Sequence, residues 1–119
     1  MLTLEGLQKL GADTNDGLQR CVNDEGFYLG LVDEVLRRDD FNELKSALDA
    51  GDIEGAFEKA HTMKGVYANL SLDSLCKPVS EITEILRAEK DVAENGSDTD
   101  YTEYISRIGE MLEAYRSLL

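Results

Sequence analysis

At 119 residues the chain is long enough for one ordinary domain, and we expect a single domain over residues 1–119. Apolar residues make up 42 % of the sequence, enough for one packed core, which argues against gross disorder. The 25 acidic and 12 basic residues give a formal net charge of −13, and such a surface repels nucleic acid and anionic lipid. Because no apolar run is long enough for a signal peptide or a membrane span, we expect a cytoplasmic protein with neither nucleic acid nor membrane among its partners.

The first part of the chain predicts two short helices. The stretch up to about residue 10 is predicted to be helical and to end in a turn over residues 11–13 (Gly-Ala-Asp). A second helix is predicted over residues 14–23, with an apolar face formed by Leu18, Cys21 and Val22. The two cysteines, Cys21 and Cys76, match no metal-binding or redox spacing, so we expect two buried thiols in a reducing compartment.

Two further helices follow. Residues 25–38 have apolar side chains at three- and four-residue steps, namely Tyr28, Leu31, Val32, Val35 and Leu36. Arg37 and Arg38 fall in the predicted last turn, where cations suit the helix dipole. The next helix begins with residues 40–43 (Asp-Phe-Asn-Glu), which have the pattern of a capping box, and it ends at residues 50–51 (Ala-Gly). Its apolar side consists of Phe41, Leu44, Ala47 and Leu48.

Capping residues also separate the next two helices. Asp52 is predicted to cap a helix over residues 53–70, and Ser71 or Asp73 to cap the helix after it. The apolar residues of that later helix are Leu72, Leu75, Val79, Ile82 and Leu86.

The C-terminal part predicts a loop and one more helix. Residues 89–100 are polar and are predicted to be the longest exposed loop. The last helix is predicted to begin at Asp100 with Glu103 as its capping partner, and its apolar stripe is Tyr101, Ile105, Ile108, Leu112, Tyr115 and Leu119. The sequence therefore predicts an all-α protein, an up-and-down four-helix bundle with additional short N-terminal helices packed across it.

The helix over residues 53–70 carries the only histidine of the sequence. Its apolar residues form one face on a helical wheel, and this face must point to the core: Ile53, Ala56, Ala60, Met63, Tyr67 and Leu70. His61 lies about 120° from the centre of this face, which predicts an imidazole at the surface. Gly65 follows one turn later and Ala68 two turns later, while Lys64 lies at the i+3 position. A partner protein could therefore reach the imidazole without meeting a large side chain.

The same residues also have an ordinary interpretation. A lone histidine on a helix is most often a surface residue without a special role. Gly65 would then serve the close packing of another helix, and Lys64 would be one more solvated charge. The helical wheel alone leaves both interpretations open.

The sequence around His61 resembles the histidine-containing phosphotransfer (HPt) domain family. Residues 60–65 read Ala-His-Thr-Met-Lys-Gly and residues 68–70 read Ala-Asn-Leu, similar to the family's Ala-His-Thr-Leu-Lys-Gly followed by small residues and Asn-Leu-Gly. The resemblance covers approximately residues 13–119. Ser71 stands where the family usually has glycine, so we expect the turn there to be built differently, and Val66 replaces a small residue on the solvent side.

The resemblance implies a phosphocarrier in a two-component phosphorelay. His61 would be the phosphorylated nucleophile, Lys64 would stabilise the phosphoryl group, and a docked partner would contact Gly65, Ala68 and Asn69. The chemistry agrees with these roles. An imidazole has an ordinary pKa of about 6.5, so much of it is the neutral nucleophile at neutral pH. A nearby cation stabilises the negative charge that spreads over a phosphoryl group in transfer.

The implied partners are response-regulator receiver domains and a hybrid histidine kinase, and we expect the chain to be a monomer. The sequence has no glycine-rich phosphate loop and no Walker pattern, so we expect no ATP site and no enzyme activity of its own. Mg²⁺ and the acceptor aspartate would come from the receiver domain, and the chain would need no cofactor. One histidine and two distant cysteines provide no metal site.

Two other functions remain open from the sequence. The first is a non-phosphorylated helical adaptor that docks on receiver domains, although a pure adaptor has no need of Lys64 and Gly65. The second is a fragment of a histidine kinase. The dimerisation helix of such a kinase usually has a charged residue after its histidine, whereas Thr62 follows His61 here.

Overall fold

The computed structural model of the chain describes residues 1–91 and 99–119. In this part the chain forms helices and no strand: α1 (Leu4–Lys9), α2 (Thr14–Arg20), α3 (Glu25–Leu36), α4 (Asp40–Asp49), α5 (Ile53–Asn69), α6 (Asp73–Lys90) and α7 (Thr102–Arg116). The predicted all-α class is confirmed. Of the loop predicted over residues 89–100, the first two residues instead continue α6, and residues 92–98 lie outside the described residues.

Helices α4 to α7 form the bundle. Helix α5 packs most extensively against α6 and then against α4, and α6 packs against α7. The connections α4–α5 and α5–α6 are short, so these neighbours run antiparallel, as predicted. The N-terminal helices contact one another, and α3 lies against α7. One cluster of buried apolar side chains runs through both parts, from Leu7 in α1 to Tyr115 in α7.

Aspartates cap three helices, and the cap predicted for α5, Asp52, is confirmed. Asp13, Asp24 and Asp52 each accept a hydrogen bond from the backbone N–H three residues later, at the beginning of α2, α3 and α5. These bonds satisfy N–H groups that have no partner within the helix.

The capping predictions for α4, α6 and α7 were wrong. The N-cap of α4 is Asp39, one residue before the predicted capping box, and Asn42 Nδ2 donates to its Oδ1 at 2.7 Å. Helix α6 has Leu72 as its N-cap and no side-chain cap, so neither Ser71 nor Asp73 serves. Helix α7 begins after Tyr101, and the Asp100 carboxylate instead accepts from the Thr102 backbone N–H at 2.9 Å.

The second helix is shorter than predicted. It ends at Arg20, because Val22 and Asn23 have left-handed backbone conformations, with φ of 52° and 58°. Val22 is consequently 81 % exposed and does not belong to the apolar face assigned to it. Of the two cysteines, Cys21 is buried as predicted, but Cys76 is only half-buried, with Sγ 3.7 Å from the Lys64 carbonyl oxygen.

The end of the third helix also differs. It ends at Leu36, so Arg37 is the C-cap and Arg38 lies beyond the helix.

No helix in the described ranges is both long and apolar enough to cross a lipid bilayer.

Candidate functional site

The centre of the candidate site is helix α5, whose rotation is fixed by its core face. All six residues of the predicted face are buried: Ile53, Ala56, Ala60, Met63, Tyr67 and Leu70. His61 lies near the middle of this 17-residue helix and is exposed on the side away from the core. The helix therefore presents an imidazole to solvent on a rigid, well-packed element.

The surface next to His61 is open. Gly65 and Ala68 are exposed, and a Cβ atom added at Gly65 would meet none of the described residues within 4 Å. The alternative interpretation of Gly65, that the glycine admits a neighbouring helix, is therefore wrong. Asn69, the last residue of α5, is exposed as well. Val66 is half-buried, so only part of it reaches the solvent side predicted for it.

The imidazole is stacked on a phenyl ring that sequence reasoning missed. Phe57 lies one turn before His61, and the two ring centroids are 5.6 Å apart with their planes at 14°. This separation is typical of an offset aromatic stack. In the part of the chain that the structure describes, no side chain or backbone group is hydrogen-bonded to the imidazole. The spacing of four residues was visible in the sequence, but the orientation of the two rings was not.

Two cations from α6 pack on the same phenyl ring. The guanidinium carbon of Arg87 lies 4.9 Å from the Phe57 ring centroid, and Nζ of Lys90 lies 5.0 Å from it. Both distances are within the range of a cation–π interaction. Sequence reasoning missed both residues, because their contact with Phe57 depends on how α6 is aligned against α5.

Lys64 also reaches α6. Its Nζ lies 3.5 Å from Oε1 of Glu84, and the other carboxylate oxygen of Glu84 lies 3.3 Å from Nε of Arg87. One carboxylate thus holds two cations beside each other. Because all three side chains are partly exposed, these ion pairs contribute little to stability. Their effect is to hold Lys64, on the histidine helix, and Arg87, which packs on Phe57, against the same carboxylate.

This arrangement has a counterpart among known families. A family model described as the Hpt domain matches residues 37–118, the segment that contains His61 and helices α4 to α7. The chain belongs to this family. Hpt domains are phosphocarriers of phosphorelays and not classical enzymes, and they interact with receiver domains and kinases. No curated protein and no solved structure is significantly similar to the chain.

The turn after the histidine helix of this Hpt domain contains Ser71 in place of glycine. Ser71 has a φ of 56°, the left-handed conformation that glycine adopts without cost and that other residues rarely adopt. The Ser71 hydroxyl donates a hydrogen bond to the Asp16 carboxylate, and this bond, with a smaller contribution from Arg20, lowers the pKa of Asp16. The side-chain bond from Ser71 to α2 is a contact that a glycine at this position could not make.

A second contact holds the same end of α5. The hydroxyl of Tyr28, on α3, donates to the Leu70 carbonyl oxygen at 2.8 Å. The backbone N–H of Asp13 donates to the Ser71 carbonyl oxygen at 2.9 Å. Residues that precede the family match thus fix the C-terminal end of the histidine helix of this Hpt domain.

The chemical capacity of the site follows from its side chains. His61 can act as a nucleophile, and Lys64, Arg87 and Lys90 can balance the charge of a phosphoryl group. Within residues 1–91 and 99–119, no group of three or more His, Cys, Asp or Glu side chains is placed to hold a metal ion. The described part of this Hpt domain thus brings together a nucleophile and cations.

Proposed function

We propose that this Hpt domain accepts a phosphoryl group on His61 from the aspartate of one receiver domain and passes it to another. The observation that carries the proposal is the exposed imidazole in the middle of α5, with the open surface of Gly65 one turn away. Membership of the Hpt domain family supports it, since the family transfers phosphoryl groups through histidine.

The transfer is a substitution at phosphorus. One imidazole nitrogen of His61 uses its lone pair to form the nitrogen–phosphorus bond, while the phosphorus–oxygen bond to the receiver's aspartate breaks. The aspartate leaves with the bonding electrons as a carboxylate. The reverse reaction with a second receiver domain regenerates the neutral imidazole and an aspartyl phosphate.

Lys64 is the residue that we assign to stabilising the phosphoryl oxygens. It lies one turn from His61 on the same helix, and its ammonium group is held near α6 by Glu84. Because the transferring group spreads negative charge over three equatorial oxygens, a cation at this position lowers the barrier. Mg²⁺ is assigned to the receiver domain, and the chain itself needs no cofactor.

Docking is assigned to the open side of α5. Gly65, Ala68 and Asn69 form an exposed surface without large side chains, which lets a receiver domain approach the imidazole closely. The partners are response-regulator receiver domains and a hybrid histidine kinase, and the chain acts in the cytoplasm as a monomer. We assign one domain to residues 1–119.

The proposal is tested with receiver domains that have been phosphorylated by a small donor and then mixed with the chain. The wild-type chain is expected to take up label, and His61→Gln is expected to take up none. The adduct is expected to be acid-labile and base-stable, as a phosphoramidate is. Because the His61 side chain is exposed, the substitution changes the free energy of unfolding by less than about 0.5 kcal/mol, measured by chemical denaturation.

A second substitution in the same assay tests the role of Lys64. Lys64→Gln is expected to slow uptake by about tenfold without changing the labelled residue, because a charge-stabilising donor contributes at least this much in transfer reactions. Lys77→Gln, which removes an exposed cation elsewhere on the surface, is the matched control and is expected to have no effect. Label that persists in His61→Gln would contradict the choice of nucleophile. Receiver binding without any label uptake by the wild-type chain would establish the adaptor function instead.

A further inference from the structure

Phe57 contacts several parts of the site at once. It is the side chain stacked on the imidazole of His61, and it also carries the Arg87 and Lys90 cations. Its ring is half-buried and packs against the apolar core, and this packing fixes the position of the ring. One ring thus contacts the imidazole, two cations of α6 and the core.

We propose that Phe57 is a positioning residue for phosphoryl transfer, a role that rests on the proposed function of His61. The stack limits rotation of the imidazole, which has no hydrogen bond in the described part of the chain to hold it. Many imidazole sites are oriented by a carboxylate or a carbonyl group that accepts from one ring nitrogen. Here a flat apolar ring performs that task, and it leaves both ring nitrogens available.

The cations give Phe57 a second effect on the same reaction. Arg87 and Lys90 lie over the ring at about equal distances, 4.9 Å and 5.0 Å. A phosphoryl dianion on His61 is a stronger attraction for them than the phenyl ring. Phe57 therefore holds two cations against a ring that also stacks on His61. Each cation has an exposed ion pair, Arg87 with Glu84 and Lys90 with Asp91, which it can exchange for the new charge.

The experiment uses phosphoramidate, a small donor that phosphorylates histidine without a docked partner, and compares Phe57→Leu with Phe57→Tyr. Phe57→Leu keeps an apolar side chain but removes the stack, and uptake of the phosphoryl group is expected to fall by at least about fivefold, given the sensitivity of such reactions to small misalignments. Phe57→Tyr restores the ring and is expected to recover most of the rate. The ring protons of His61 are expected to show an upfield NMR shift in the wild-type chain and in Phe57→Tyr that is lost in Phe57→Leu.

Phe41→Leu provides the matched control, because Phe41 also carries a cation, Lys45, with Nζ 4.8 Å from the ring centroid, but makes no contact with His61. It is expected to lower the melting temperature while leaving the rate and the His61 shifts unchanged. An unchanged rate in Phe57→Leu overturns the proposal, and so does a slowing seen only with receiver domains, which would make Phe57 a docking residue. A wild-type chain that takes up no label refutes the proposed function, whereas the NMR shifts test the stack independently.

Discussion

At the scale of single residues, the glycines within helices show how differently one residue type is used. A Cβ atom at Gly17 would lie 2.5 Å from the Tyr28 ring, so this glycine permits α2 and α3 to pack closely. At Gly65 and at Gly30, a Cβ atom would have no atom of residues 1–91 or 99–119 within 4 Å. Packing therefore explains Gly17 and does not explain the other two.

The openness of Gly65 leads to a prediction about docking. Gly65→Gln is expected to keep or raise the melting temperature, because replacing an open helical glycine removes a cost of up to about 1 kcal/mol. It is also expected to slow transfer from a phosphorylated receiver domain by at least about tenfold, since the new side chain occupies the space beside the imidazole. Stopped-flow transfer kinetics and thermal melting provide the two measurements.

The matched control for this prediction is Gly30→Gln. Gly30 is likewise exposed within a helix and open at its Cβ position, but it lies on α3. The two variants are expected to gain similar stability and to differ in transfer rate. Equal transfer rates in both variants would show that partners approach His61 from a side other than Gly65.

The sequence predicts which residues of a helix are buried, because burial follows the periodicity of apolar residues. It does not predict the contacts between individual side chains. The helical wheel places His61 outside the core because burial of the apolar face fixes the rotation of α5. Phe57 was missed because a wheel gives its direction but not the plane of its ring. Arg87 and Lys90 were missed because contacts between helices depend on an axial alignment that no local pattern contains.

At the scale of helices, Tyr28 links α3 to the end of α5. Its ring is fully buried against Gly17, and its hydroxyl donates to the Leu70 carbonyl oxygen at 2.8 Å. Burial raises the pKa of Tyr28 to about 12, and it also raises the pKa of Tyr67 to about 12. Both tyrosines therefore stabilise the fold in their protonated form.

The hydrogen bond predicts the effect of Tyr28→Phe. The variant leaves the Leu70 carbonyl oxygen without its donor, so the free energy of unfolding at neutral pH is expected to fall by about 1 to 3 kcal/mol, measured by chemical denaturation. Tyr67→Phe is the control, because the Tyr67 hydroxyl makes no hydrogen bond to a described residue, and its effect is expected to be smaller. Equal effects of the two variants would mean that the bond to Leu70 is not stabilising.

Tyr28 and Tyr67 also determine how the stability of the fold changes at high pH. In the unfolded chain a phenol loses its proton near the ordinary pKa of 10.0, whereas the folded values are about 12. The stabilisation is thus complete below about pH 10 and is lost as the pH rises through about 12. Stability is expected to fall over this interval, and less steeply in each phenylalanine variant.

Helix existence was predictable, whereas helix starts were not. The apolar steps of α5, α6 and α7 are long enough to average out local exceptions. The predicted apolar residues of α5 and α6 are all buried. In α7, the buried residues are Ile108, Leu112 and Tyr115, whereas Tyr101, Ile105 and Leu119 of the predicted stripe are only half-buried. Each helix start, in contrast, depends on a single capping hydrogen bond to the backbone. At α4, Asp39 and Asp40 both fit the chemistry of a cap, and the first helical residue is Asp40.

At the scale of the whole molecule, the N-terminal helices share the core of the bundle. Four residues that precede the family match are fully buried, namely Leu7, Tyr28, Val32 and Leu36. The carbonyl oxygen of Leu36 also accepts from Nε of Arg116, near the end of α7, at 2.7 Å. These contacts favour one cooperative unit over residues 1–119.

A truncation tests this prediction. A chain of residues 37–119 retains the whole family match but exposes the core surfaces that those four side chains cover, so it is expected to lose its cooperative unfolding transition in circular dichroism. A chain of residues 11–119 loses only Leu7 from the set and is expected to unfold cooperatively at a lower temperature. The full chain should unfold in one transition by both near- and far-ultraviolet signals. An unchanged melting temperature for residues 37–119 would show that the N-terminal helices fold separately.

The exposure of the imidazole on α5 has a consequence for the duration of a signal. A ring that a partner can reach is also reached by water, and in the described part of the chain nothing encloses the space around Gly65. Under the proposed function, phosphohistidine in the undocked chain is therefore hydrolysed at a rate set by the intrinsic reactivity of its nitrogen–phosphorus bond and by the nearby cations. A docked receiver domain excludes water from the same space. The lifetime of the phosphorylated state then depends on how soon the chain meets its next receiver domain.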